Sequence, residues 1–334
     1  MKIAFLSESP YTGKYPAQFD NIRTEIAWQI ALDADHFNIY NSVYDILNNK
    51  TTVAGYDHVF IIFPKGRVFL SAEGLSIMKA NNPVSDMLHS NFVSALKTVN
   101  SKVHFVQEGP HWWFNDYAVD DQIYFYNMIS QFDSIFAHNK CDVNYYKGLF
   151  PTMQVQTIGT LMFDDLLKDV IPTKEDKVII GGNFAHWYGG FESYIVASGL
   201  GLPIWTQTSH ATREFENSIA NLTHLPRLSW LDWMRALSEF KYAVHLMPTV
   251  AAGTFSLNCA YFGIACIGNR ELDTQRICHP ALSVDIADVK TANELMYRLK
   301  TDDKFYEDCS TYAKNAYDTH YSVEVWKETI KKYL

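Results

Sequence analysis

The sequence predicts an α/β protein made of two Rossmann-like, doubly wound domains that face a central cleft. Two observations carry the prediction. The chain opens an α/β domain twice: Lys2–Ser7 is a short apolar run that breaks into Ser9-Pro10-Tyr11-Thr12-Gly13, and Lys177–Ile180 is another that breaks into Gly181-Gly182-Asn183. Each reads as a buried strand that empties into a loop ahead of a helix. Around these openings, apolar runs of strand length alternate with helix-like stretches, the pattern of a parallel sheet covered on both faces. Ligands of such sheets sit just past the carboxyl ends of the strands, and a cleft between two such domains suits a large activated ligand.

In the first half the strand-like runs are Lys2–Ser7, His36–Tyr40, His58–Phe63, Val103–Gln107, Ser134–Ala137 and Gln154–Ile158. Helices are expected at Asn21–Leu32, Ser71–Ala80 and Asp121–Ser130. The charged stretch Leu166–Asp176 carries Pro172 and has weak periodicity, which marks it as the linker. The pattern then resumes with strands at Lys177–Ile180, Leu202–Trp205, Tyr242–His245, Ile264–Ile267 and Leu282–Val284. Helices are expected at Gly190–Ser198, Trp230–Ser238, Phe255–Phe262, Ala292–Leu299 and Lys304–Tyr317, and Ser322–Leu334 reads as one more amphipathic helix. The expected organisation is residues 1–165 as one domain, 166–321 as a second, and 322–334 as a helix that packs back on the first.

Of the 334 residues, 48% are hydrophobic and 15% aromatic, enough to fill two cores. No apolar run reaches the roughly 18 residues that span a bilayer, and the chain begins on a charged strand; no membrane association and a cytoplasmic location are expected. Cys141, Cys259, Cys266, Cys278 and Cys309 form no C-x-x-C pair and no zinc-spaced cluster, so they read as buried reduced thiols. A net charge of −9 weighs against a surface that embraces nucleic acid as a whole. It leaves room for a local basic cleft, with Lys65-Gly66-Arg67 and Arg23 as the candidate cations.

Four segments carry candidate chemistry. Gly181-Gly182-Asn183-Phe184-Ala185-His186-Trp187 follows a strand, and its glycines let backbone amides approach an anion ahead of a helix start. It has neither G-x-G-x-x-G spacing nor a P-loop lysine. Met247–Asn258 leads from another strand into a helix, with Thr254 and Ser256 at the helix start to hold a diphosphate and Asn258 one turn in to meet a sugar hydroxyl. Glu108, at the end of Phe105-Val106-Gln107, is the candidate base, since partial desolvation there would raise its pKa; His111 is the rival. Ser7–Lys14 is the loop after the first strand, from which Lys14, with Arg23 beyond it, would reach a phosphate or an acceptor. Each segment also has a plain reading as a turn, a capped helix or a strand-end hydrogen-bond partner.

This arrangement resembles the GT-B glycosyltransferases, two Rossmann-like domains of which the second holds a nucleotide-sugar. The resemblance spans almost the whole chain and is strongest from Tyr242 to Ile267: strand, small-residue loop, helix, then Phe262-Gly263-Ile264 into a strand. Members of the family often place a glutamate on the nucleotide ribose where this chain has Asn258. Within that group the chain looks most like the DNA glycosyltransferases of T-even-type phages, the β-glucosyltransferase kind in particular. There an apolar strand leads into an acidic base, as Phe105-Val106-Gln107 leads into Glu108, and the second domain opens as Ile180-Gly181-Gly182-Asn183-Phe184 does here. Where that family has arginines for the diphosphate, this chain has His186, Trp187 and Tyr188. Pro226-Arg227-Leu228-Ser229 occupies the position of the loop whose backbone holds uracil, which makes Arg227 and Leu228 donor-site candidates.

The resemblance implies a UDP-sugar donor and an inverting single displacement: Glu108 takes the acceptor's proton while amides near Gly182 and Thr254 stabilise the departing diphosphate. No D-x-D pair stands at a strand end, so no metal and no cofactor are expected. The implied acceptor is a 5-hydroxymethylated pyrimidine in double-stranded DNA, flipped out against Trp112, Trp113 or Tyr11. Overall acidity points instead to a carbohydrate, lipid-linked or protein acceptor, and a UDP-sugar epimerase or a noncatalytic sugar-nucleotide binder stays open as a different class.

Overall fold

The computed structural model describes residues 1–15, 22, 24–47, 50, 52–63, 92–114, 118–182, 184, 186–208 and 214–334. The helix expected at Ser71–Ala80 and the cations Lys65, Arg67 and Arg23 lie outside these residues. The chain divides into two compact units, one of Met1–Phe19, Thr24–Ile158 and Thr329–Leu334, the other of Asp20–Arg23 and Gly159–Glu328. The division after Ile158 falls ahead of the charged Pro172 stretch, which runs within the second unit.

In the first unit β1 (Ile3–Ser7), β2 (Asp35–Asn38), β3 (His58–Ile61), β4 (Lys102–Gln107), β5 (Ser134–Ala137) and β6 (Gln154–Thr157) form one parallel sheet in the order β2-β1-β3-β4-β5-β6. Its described helices are α1 (Thr24–Ala31), α2 (Ile39–Leu47), α3 (Phe92–Val99), α4 (Val119–Ile129) and α5 (Lys140–Leu149). The strands are apolar on both sides because both faces are covered. One face, with Ala4, Leu6, Val59, Ile61, Val103, Phe105 and Ile135, packs on Phe92, Leu96, Phe125, Ile129 and Tyr146. On the other, Phe60 and Phe136 close around Trp28 of α1 at ring distances of 5.8 and 6.2 Å. The strand expected at His36–Tyr40 stops at Asn38, whose side chain accepts the Asn41 amide at 3.2 Å and so caps α2.

The second unit repeats the plan. Its strands are β7 (Glu175–Ile180), β8 (Ile204–Gln207), β9 (Leu222–Leu225), β10 (Phe240–His245), β11 (Ala265–Asn269) and β12 (Ser283–Val284), all parallel, in the order β12-β11-β10-β7-β8-β9. The helices are α6 (Gly190–Ser198), α7 (Trp230–Leu237), α8 (Thr254–Phe262), α9 (Asp273–Cys278), α10 (Val289–Thr301), α11 (Asp303–His320) and α12 (Val323–Ile330). Two apolar clusters cover its faces, one with Ile179, Ala243 and Cys266, the other with Val178, Val244 and Ile267.

Several histidines are buried in this framework. His36 gives its Nδ1–H to the Tyr11 carbonyl and takes the Ser7 hydroxyl on Nε2, both at 2.8 Å, and His104 lies between His58 at 2.9 Å and Ser134 at 2.7 Å. Burial pushes His36, His245 and His279 down to about 4 and His104 down to about 3. The unfolded chain protonates these groups near pH 6.5, so below that pH it binds more protons than the folded chain and stability falls, by at most about 1.4 kcal/mol per pH unit for each histidine. The melting temperature is therefore expected to drop as pH is lowered from about 6.5 toward 4.5; a melting temperature constant across that window contradicts the burial of neutral imidazoles.

Candidate functional site

In the second sheet the chain runs outward from β7 through β8 and β9, then returns to lay β10, β11 and β12 on the other side of β7. The connections leaving β7 and β10 therefore diverge, and the crevice beyond their carboxyl ends is the topological switch point where doubly wound sheets bind ligands. The two strands pair in register Val244 to Ile180, and the Gly181 amide donates to the Val244 carbonyl at 2.8 Å.

The backbone at this point is unusually close-set. A Cβ on Gly181 would lie 2.5 Å from Cδ2 of His245, so the imidazole fills the space a side chain would need. Gly253, the residue before α8, is left-handed with φ 71°, and a Cβ there would meet Thr274 Oγ1 at 2.1 Å. No side chain caps α8, so its first amides keep their hydrogen-bonding capacity and the positive end of the helix dipole for an anion. Thr254 is exposed there. Ser256 is not available: its hydroxyl donates to the Gly253 carbonyl at 3.1 Å and pairs with Thr274 Oγ1 at 2.8 Å, which fastens α8 to α9.

One buried polar side chain at the start of the β10–α8 segment lacks any hydrogen-bond partner among the described residues. His245, 5% exposed, has both ring nitrogens without a hydrogen bond. Thr249 and Asn258 lie on the same segment and are 5% and 7% exposed. An unmade bond to a buried polar group costs about 1–3 kcal/mol, which marks His245 as a group with a bond to gain from a polar ligand. His245 and Thr249 escape the sequence reading. His245 scans as the last residue of an apolar strand, and Thr249 as part of a small-residue lead-in.

The other donor-side candidates are spread over the same unit. Gly181 and Gly182 follow β7; His186 is in the 3₁₀ turn His186–Tyr188, and Asn183 lies outside the described residues. Arg227 and Leu228 lie between β9 and α7, Arg227 exposed and Leu228 packed on the core.

In the first unit, Glu108 follows β4 and is half-buried. His111 opens the 3₁₀ turn His111–Phe114, which also holds Trp112 and Trp113. Its Nδ1 bonds to Oδ1 of the buried Asp142 at 2.8 Å, and its ring stacks on Tyr145 at 4.3 Å. Asp142 is held in turn by the Asn139 side chain at 3.3 Å and the His111 amide at 3.3 Å. This carboxylate–imidazole pair fixes the tautomer and leaves Nε2 as an acceptor for a proton, the arrangement a general base needs. Asp142 belongs to α5, a helix the sequence reading does not place. Beyond β1, the Tyr11 hydroxyl donates to Gln29 Oε1 and its ring lies 4.4 Å from that of His36, and burial raises its pKa. Lys14 is engaged by Asp33 at 3.0 Å and Asp35 at 3.3 Å, at the start of β2. Among the described residues no group of three His, Cys, Asp or Glu side chains is placed to hold a metal ion, and no helix is long and apolar enough to cross a membrane.

Solved structures resemble the whole chain. Sucrose-phosphate synthase from Thermosynechococcus elongatus superposes with a TM-score of 0.69 at 10% identity, over 99% of this chain and 97% of that one. The fold is GT-B. An α-glucosyltransferase in complex with UDP and a 13-mer DNA containing an HMU base matches this GT-B chain with a TM-score of 0.64 at 11% identity, over 99% of this chain and 98% of that one. WaaG, a glycosyltransferase involved in lipopolysaccharide biosynthesis, matches with a TM-score of 0.60 at 10% identity, over 98% of each chain. No family model and no curated protein matches the sequence. At these identities the likeness is one of fold: two parallel six-stranded sheets with flanking helices, as the sequence predicts.

The left-handed Gly253 gives a direct check of the switch-point geometry. Gly253→Ala forces a Cβ onto Thr274 Oγ1 and is expected to destabilise the chain by more than about 2 kcal/mol, read as a lower urea midpoint. A wild-type midpoint contradicts the close approach of Gly253 to Thr274.

Proposed function

We propose that this chain is a glycosyltransferase that moves a sugar from a UDP-sugar to an acceptor hydroxyl. The observation that carries the reading is the switch point of the second unit, where the Gly181–Gly182 turn, the uncapped start of α8 and the buried, unpartnered His245 occur together. Such a site suits a diphosphate and the polar groups attached to it. Structures like this chain that hold UDP include the α-glucosyltransferase named above and the pneumococcal O-GlcNAc transferase GtfA.

In the proposed reaction the acceptor hydroxyl attacks the anomeric carbon in one displacement, inverting it, while the amides of α8 stabilise the departing UDP. His111, oriented by Asp142, takes the acceptor's proton; this departs from the assignment to Glu108 because the buried carboxylate partner belongs to His111. The proposed acceptor is a 5-hydroxymethylated pyrimidine in DNA, the class represented by the HMU base bound to the α-glucosyltransferase, with the aromatic turn at Trp112 beside the base. Transfer is proposed to need no divalent cation, which activity retained in EDTA tests.

The deciding assay incubates the chain with UDP-sugars and hydroxymethylated DNA and measures UDP release and labelled DNA. DNA-dependent release supports the proposal; release only with carbohydrate acceptors moves the acceptor assignment, and release without acceptor points to hydrolysis. His111→Ala is expected to lower transfer by about 10²–10⁴-fold with UDP binding retained, and Asp142→Asn by a smaller factor. If Glu108→Ala abolishes transfer and His111→Ala does not, the base is Glu108.

A further inference from the structure

The β7–α6 connection, Gly181–Gly189, and the β10–α8 connection, Leu246–Gly253, contain no lysine or arginine. A diphosphate held between them would be met by neutral donors. The α8 amides are one set, and His245 is the only imidazole at the carboxyl end of either flanking strand. Its ring lies between Gly181, which has no side chain to screen it, and Phe255, whose ring is 4.8 Å away. The Cγ–Cδ2 side of the ring faces Gly181. Both nitrogens are buried and unbonded in the free chain, although elsewhere in the same unit His279 bonds the Ser256 carbonyl at 3.0 Å. A polar group left unsatisfied in so closely packed a place has a partner to gain, and the Gly181 side of the ring is the one that carries no side chain of its own.

We propose that His245 is a donor-binding residue, giving an imidazole N–H to the nucleotide-sugar's diphosphate through the Gly181–Gly182 turn in place of a cation. This rests on the UDP-sugar reading above. A neutral imidazole fits the role, and burial holds His245 neutral, its pKa pushed down to about 4. The same geometry explains why Gly181 admits no side chain: the imidazole occupies that volume.

Calorimetric titration of UDP and of uridine into the wild type, His245→Phe and His245→Gln tests the assignment, alongside melting temperatures without ligand. Phenylalanine keeps the ring volume against Phe255 and removes the donor; glutamine restores one. His245→Phe is expected to weaken UDP binding about tenfold or more while uridine binding changes less than about twofold, with no fall in melting temperature. His245→Gln should recover part of the UDP affinity. UDP binding unchanged in His245→Phe overturns the proposal, as does an equal loss for uridine and UDP with a lower melting temperature, which marks a packing residue. A wild type that does not bind UDP overturns the UDP-sugar reading itself, and this inference with it.

Discussion

The candidate donor site depends on one close approach: the backbone after β7 lies against the imidazole that ends β10. Two parallel strands adjacent in space but distant in sequence can set their loops apart only where the strand order reverses, and the second sheet reverses between these two. Gly181 makes the contact possible, the uncapped start of α8 supplies amides beside it, and Ser256 with Thr274 holds α8 to α9 so that those amides stay in place. The apolar clusters around Ile179 and Val244 fix the strands on which all of this stands.

The two units divide the polar chemistry unequally. The second leaves both ring nitrogens of the buried His245 unbonded at the end of β10. The first presents a completed pair: Asp142 satisfies His111 and is itself satisfied by Asn139, so only Nε2 is left to act. An unsatisfied group suits ligand binding, since the ligand supplies the missing bond. A satisfied and oriented group suits proton transfer, since its geometry is set before the acceptor arrives.

Much of the fold was legible in the sequence because buried parallel strands are continuous apolar runs, and Ser134–Ala137, Gly190–Ser198 and Gly263 at the end of α8 fall where the pattern puts them. Elements that mix polar and apolar residues were not. The four-residue edge strand β9, Leu-Thr-His-Leu, is only partly buried, and α5 carries Lys140, Asp142 and Asn144 among its apolar residues. The boundary at Asn38 turned on a side chain that caps the next helix, which periodicity does not register. At the candidate site, the Ser256 hydroxyl is bonded to Gly253 and Thr274, whereas both His245 ring nitrogens are unbonded. Burial and hydrogen-bond satisfaction separate the two, and neither is a property of sequence spacing.

Hydrogen–deuterium exchange of the chain with and without UDP tests the central claim most directly, since it reports which backbone amides the nucleotide covers. The account predicts slowed exchange at Gly181–Gly182 and through the first turn of α8, Thr254–Asn258. Slowed exchange elsewhere in the chain with these two segments unchanged, under saturating UDP, would contradict it.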